Sequence, residues 1–206
     1  MAGLREETAD GKPENSYHIK NGLVRLNMEE ITRIYEEHMM GDFPKSELKP
    51  LASILHMIGK GIYECLGFFA DGELKAYVFM LTDREGGFLL LDYLAVCENS
   101  RQEGWGSRCM ERLGEYYGDK PGILLECESL ETAADEKERR LRRRRIRFYE
   151  RNGCVLTGVK ARVFGVEFDI LYLPLMERQV DGARELEGLY RKMLPDEIYK
   201  KQVRIR

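Results

Sequence analysis

Residues 88–96 run FLLLDYLAV, an apolar stretch of strand length broken only by Asp92. A polar turn, Cys97-Glu98-Asn99-Ser100, follows, then Arg101-Gln102-Glu103-Gly104-Trp105-Gly106-Ser107. Beyond it Trp105, Cys109, Leu113 and Tyr117 recur every four residues, the stripe of an amphipathic helix. The pattern predicts a buried strand feeding a helix through a glycine-bearing turn. Upstream, 18–26 reads as a strand. Asn27, with Glu30 three residues on, reads as the capping box of a helix running to about Met40. Gly41-Asp42-Phe43-Pro44 breaks that helix, and 46–60 starts another. Two strands, 63–70 and 73–81, meet at Asp71-Gly72, a hairpin turn signal, and 84–87 is the next turn. Downstream, 118–122 ends the glycine-turn helix and 123–128 (ILLECE) is a strand. A helix closing at Gly153 precedes a hairpin, 155–163 and 166–173, around Phe164-Gly165. The rest is a helix over 183–193, Pro195 and a short extended tail. The elements predict a mixed α/β (α+β) domain over 17–175. A polar, mobile tail precedes it at 1–16, and a helical extension at 176–206 packs on the domain or forms a dimer contact.

Composition narrows the function classes. The 206 residues are 43% hydrophobic and 33% charged, as expected of a soluble globular chain. No apolar run approaches the roughly 20 residues of a membrane span, and the first residues hold no apolar export core. Five cysteines form no C-x-x-C pair, the usage of reduced thiols, so a cytoplasmic setting is expected. His18, His38 and His56 are scattered, so no metal site is expected. The net charge of −3 argues against general affinity for nucleic acid or anionic membranes.

The glycine turn is the first candidate for chemistry. A helix N-terminus leaves backbone N–H groups unpaired at the positive end of the dipole, which suits an anion. Glycine at 104 and 106 removes the Cβ that would hold a phosphate away. No Gly-Lys-Ser/Thr follows, and the Gly-x-Gly-x-x-Gly spacing is missing, so P-loop and Rossmann readings fail. Strand alternation over 123–128 places Leu124, Glu126 and Glu128 on one face. Glu126 lies deeper in the apolar run and is the stronger candidate; Glu128 suits a solvated strand end. Asp92 is an acid candidate balanced by a structural reading. Eight arginines between 139 and 151 suggest a nucleic-acid surface. Asp135, Glu136 and Glu138, four residues before Arg139, Arg140 and Arg142, favour instead a self-paired, solvated helix face. Cys97 and Cys109 lack a neighbouring histidine and read as packing residues, and His38 as a packed ring.

The run Tyr93-Leu94-Ala95-Val96 followed by Arg101-x-x-Gly104-x-Gly106 resembles the acyl-CoA-binding motif of the GNAT superfamily of N-acyltransferases. A second segment, Phe148-Tyr149-Glu150-Arg151-Asn152-Gly153-Cys154, resembles that superfamily's helix-to-strand motif, and together the likeness spans roughly 19–173. The resemblance implies a central, mostly antiparallel twisted sheet of about seven strands with flanking helices. It implies acetyl-CoA as co-substrate, held by Leu94, Ala95, Val96, Arg101, Gln102, Glu103, Gly104, Trp105, Gly106 and Ser107. It assigns Tyr149 to protonation of the departing thiolate and Glu126 to the general base. Two departures stand out: Arg142 occupies the place of a common asparagine, and the connection before its helix is longer than usual. The implied activity is direct acetyl transfer to an amine of a small molecule or peptide. The alternatives are a non-catalytic acyl-CoA-binding regulator and, below it, a nucleic-acid-binding protein. Residues 42–60 and the Phe164-Gly165 turn are expected to line the acceptor side.

Overall fold

The computed structural model describes residues 21–45, 47–82, 87–177 and 180–206. The predicted N-terminal tail and the start of the first strand lie outside them, as does most of the 84–87 turn. In chain order the elements are β1 (Gly22–Arg25), α1 (Met28–Ile34), a π-helical turn (Tyr35–Met39), α2 (Met40–Asp42) and α3 (Leu51–Gly59). Then come β2 (Tyr63–Ala70), β3 (Glu73–Leu81), β4 (Leu89–Val96), a 3-10 turn (Glu98–Ser100), α4 (Trp105–Tyr116) and β5 (Gly122–Glu128). A second 3-10 turn (Leu130–Thr132), α5 (Glu136–Arg151), β6 (Val155–Val163), β7 (Val166–Pro174), α6 (Gly182–Met193), α7 (Asp196–Gln202) and β8 (Val203–Ile205) complete the chain.

Local chemistry explains most of these boundaries. Asn27 Oδ1 accepts from the Glu30 backbone N–H at 2.9 Å, and a Glu30 carboxylate oxygen accepts from the Asn27 N–H at 2.9 Å, closing the capping box. Asp71 (φ 52°) and Gly72 (φ 75°) supply the left-handed pair that a tight hairpin needs. Two expectations change. The helix over 46–60 begins only at Leu51, after Pro50, because 47–50 is held extended by tertiary bonds described below. The tail expected to be extended after Pro195 is first a helix, α7, and only its last residues form the strand β8, so the sheet has eight strands rather than about seven.

The sheet order is β1-β2-β3-β4-β5-β7-β6-β8. Every pairing is antiparallel except β4 with β5, which the crossover through α4 makes parallel. Two apolar layers cover the sheet. One face packs under α1, α3 and α6, with Ile31, Ile54, Phe79, Leu124, Leu186 and Leu189 buried together. The other packs under α4 and α5, with Val78, Leu91, Cys109, Leu113, Leu125 and Ile146.

Candidate functional site

The site originates in a flaw in the ladder. β4 and β5 pair at Leu89↔Ile123, Leu90↔Leu124 and Leu91↔Leu125, and there the pairing stops. On its other edge β4 shifts register against β3, from Phe79↔Tyr93 to Met80↔Leu91, so Asp92 is an extra residue in the strand. A bulge bends the strand that carries it, and β4 leaves β5 at this residue. The bulge also breaks alternation. Tyr93 joins Leu90 in the core of the first face, and Asp92 meets Lys49 and Tyr63 there. A cleft of about 1020 Å³ opens along the divergence, with Leu94, Ala95 and Val96 on one wall and Glu126 on the other.

Asp92 is tied down. Lys49 Nζ donates to it at 2.7 Å, and the Tyr63 hydroxyl makes a short hydrogen bond to its other oxygen. The Lys49 backbone N–H donates to Tyr93 Oη at 2.9 Å, Tyr93 donates to the Glu47 carbonyl, and Tyr35 donates to the Lys49 carbonyl. These bonds are why 47–50 is not helical: its backbone groups are satisfied by Tyr93 of β4 and Tyr35 of the π-helical turn. Burial pulls the Lys49 ammonium down, but the Asp92 charge and hydrogen bond together with the Tyr93 and Glu126 charges outweigh it and hold Lys49 above the ordinary lysine range. Asp92 is therefore an ion-pair partner rather than a free acid.

The glycine turn closes one end of the cleft. Gln102 (φ 69°) and Gly104 (φ 82°) are left-handed, and α4 starts at Trp105. The first intrahelical bond runs from Arg108 N–H to the Gly104 carbonyl, so the N–H groups of 105–107 precede it. The two glycines serve different ends. A Cβ on Gly104 would meet no atom within 4 Å, but its φ resists any side chain. A Cβ on Gly106 would come within 3.1 Å of the Phe148 ring, so this glycine lets α4 and α5 approach. The Arg101 guanidinium is engaged with Asp42, which also accepts from Tyr77 Oη at 2.8 Å. Of the residues expected to hold the co-substrate, all line the cleft except Glu103, whose carboxylate accepts from Trp105 Nε1 at 2.8 Å, and Glu126 and Tyr149 line it too.

Glu126 and Tyr149 reach the cleft from opposite faces. Tyr149 belongs to the layer under α4 and α5, while Glu126 follows Leu124 on the other face; only where β4 and β5 part can both line one space. Burial pushes the Glu126 carboxyl up to about 7, with Asp92 adding to the rise and Tyr190 and Lys49 opposing it. Burial also raises the Tyr149 phenol, which stays protonated at ordinary pH. Tyr190, on α6, puts its hydroxyl 2.9 Å from each Glu126 oxygen. No motif announces this contact: Tyr190 lies 64 residues away on an extension without a recognised signature. One weak signal existed, since a tyrosine on a buried helical stripe beside Leu186 and Leu189 must find a partner for its hydroxyl.

The arginine helix divides. Arg142 is buried and donates to the Ser129 carbonyl, to Thr132 Oγ1 at 3.0 Å, to Glu128 at 3.0 Å and to Glu138 at 2.7 Å. Arg145 also pairs with Glu128, at 2.9 Å. Glu128 is thus a paired acid and not a solvated strand end. Asp135 caps α5 by accepting from the Glu138 N–H at 2.7 Å. Arg144, Arg145 and Arg151 line the cleft and give it positive charge. Burial pushes the Cys97 thiol up to about 11 and the Cys109 thiol up to about 12, so neither is an activated nucleophile. Among the described residues no group of histidine, cysteine and carboxylate side chains could hold a metal ion, and no helix is long and apolar enough to cross a membrane.

Phe43, Pro44, Glu47 and Leu48 from the α2–α3 connection also line the cleft, with Val163, Phe164, Val166 and Phe168 from the β6–β7 hairpin. Phe164 is held at φ 46°, a costly value for a bulky residue. Its backbone N–H donates to the Gln202 carbonyl at 3.0 Å, so the C-terminal segment holds this tip too.

No family model matches the chain, and no curated protein does. Solved structures do. A GNAT-family protein from Bacteroides thetaiotaomicron superposes with a TM-score of 0.65 at 21% identity, over 83% of this chain and 94% of that one. A GNAT-like decarboxylase in complex with isobutyryl-CoA gives 0.58 at 12%, over 75% and 99%. An aminoglycoside 6'-N-acetyltransferase complexed with coenzyme A gives 0.54 at 13%, over 77% and 99%. With a mixed sheet parted between β4 and β5 and the glycine turn at the mouth of the gap, the chain has the GNAT fold.

Proposed function

We propose that this protein is an N-acetyltransferase that moves the acetyl group of acetyl-CoA directly to an amine of a small molecule or peptide. The observation that carries the reading is one cleft combining a glycine-led helix N-terminus with a buried carboxyl pushed up to about 7. Fold alone does not choose the reaction, and a decarboxylase shares it; the carboxylate and the phenol argue for acyl transfer.

In this reading the CoA pyrophosphate accepts hydrogen bonds from the N–H groups at the start of α4, where the dipole adds to the attraction. Arg144, Arg145 and Arg151 offset the remaining phosphate charge. An alkyl ammonium has a pKa near 10, so the acceptor arrives protonated and cannot attack. Glu126 takes that proton, directly or through a water, and the freed lone pair adds to the thioester carbonyl. A backbone N–H of β4 around Leu94-Ala95-Val96, without a β5 partner, meets the developing oxyanion. As the C–S bond breaks, the Tyr149 hydroxyl supplies a proton to the thiolate.

The test has two parts. Acetyl-CoA should raise the melting temperature, as any ligand of the native state does. Thiol release should then appear with at least one member of a panel of alkylamines, polyamines and peptide N-termini. Binding without turnover across the panel would support an acyl-CoA-binding regulator instead; no binding would remove both readings.

A further inference from the structure

The C-terminal segment is built into the site. β8 pairs with β6 at Ala161↔Ile205, Arg162↔Arg204 and Val163↔Val203, which fixes the end of the chain to the sheet. α6 lies on the sheet with Leu186, Leu189 and Tyr190 buried, and Tyr190 sits in the cleft wall. Its hydroxyl is 2.9 Å from both Glu126 oxygens, equidistant from the two. The other titratable groups acting on this carboxyl are Lys49 from the 47–50 segment and Asp92 from β4; Cys127, beside it on β5, lies on the opposite face of the sheet. Lys49 and Asp92 are paired to each other at 2.7 Å, so the direct hydrogen bond to Glu126 comes from Tyr190. Burial and the Glu126 charge raise the Tyr190 phenol well above its ordinary range, so it stays a donor.

We propose that Tyr190 is a positioning residue: its hydroxyl holds the Glu126 carboxylate in the orientation and the ionised form from which it accepts the substrate's proton. The inference rests on the reading of Glu126 as the base. A hydroxyl that donates to a carboxylate favours the charged form over the neutral acid. Without it, burial would keep Glu126 protonated to higher pH and leave less base at neutrality. The C-terminal segment therefore sets the working range of the reaction as well as covering the sheet.

Titrating the Glu126 carboxyl by carbon-13 NMR tests this without a known acceptor; protein labelled at the glutamate side-chain carboxyl carbon is used, and the signal missing from Glu126→Gln identifies the residue. In Tyr190→Phe, which keeps the buried ring, the Glu126 titration should move up by about one to two pH units, the worth of a hydrogen bond to a charged group. With 3-fluorotyrosine at position 190, a stronger donor of the same shape, it should move down. With any amine that turns over, the acid limb of kcat/KM should move by the same amounts. An unchanged titration in both proteins overturns the role of Tyr190 and leaves Glu126 as base. A titration that moves while the kinetic limb stays still shows that the base lies elsewhere, and the inference falls with that reading.

Discussion

A carboxyl kept near neutrality inside a protein destabilises the fold that holds it, and Glu126 makes this cost measurable. In the unfolded chain the group titrates near 4.5; in the cleft burial pushes it up to about 7. The sign follows from proton counting. Below pH 4.5 the group is protonated in both states and contributes no difference. Between 4.5 and 7 the native state binds the proton more tightly, so stability falls as pH rises, and above 7 the loss is complete. At about 1.4 kcal/mol per pH unit the gap amounts to about 3 kcal/mol. Glu126→Gln has no such dependence. For a chain of this size 1 kcal/mol is worth roughly 2–4 °C in melting temperature. The difference in Tm between Glu126→Gln and the parent should therefore grow by about 6–12 °C from pH 4.5 to pH 8, in favour of the variant. Any fixed cost of the amide displaces the whole curve and leaves this rise intact. Scanning calorimetry of both proteins across that range is the assay. A difference that stays flat with pH would mean that Glu126 is ionised at its ordinary value and is not a poised base.

Other predictions follow from single contacts. Gly104→Ala should lose most of the stabilisation by acetyl-CoA, since the new methyl group projects into open space where the pyrophosphate is proposed to sit; the left-handed φ adds roughly 1–2 kcal/mol of destabilisation, visible as a lower apo Tm. Tyr149→Phe should bind acetyl-CoA like the parent while turnover falls by about 10²-fold or more; normal turnover would make the tyrosine a packing residue. Arg142→Gln should cost about 3 kcal/mol or more, because it strips charge from a buried group paired with Glu128 and Glu138. The double change Arg139→Gln, Arg143→Gln should stay within about 0.5 kcal/mol of the parent and leave retention on DNA or RNA columns unaltered; a clear loss of retention would revive the nucleic-acid reading.

What the sequence determined about this protein is local. The β4–turn–α4 unit, the Asn27 capping box and the Asp71-Gly72 hairpin rest on interactions between residues a few positions apart, and they are legible in one strand of text. Alternation along β5 was enough to put Glu126 and Glu128 on the same face, because the two-residue period belongs to the strand itself. Tertiary structure decided what those side chains meet. Glu128 faces two arginines of a helix that crosses back over the sheet, which turns a supposed solvated end into an ion-paired one. The bulge at Asp92 depends on register with β3, and register is a property of two strands. The segment 47–50 gave up a helix because Tyr35, Tyr93 and Asp92 satisfy its polar groups from afar. Most of all, the partner of Glu126 comes from an extension whose own pattern is that of an ordinary amphipathic helix. A hydrogen bond between Tyr190 and Glu126 leaves no periodicity in either segment, and it exists only where α6 packs on the sheet with Tyr190 in the cleft wall.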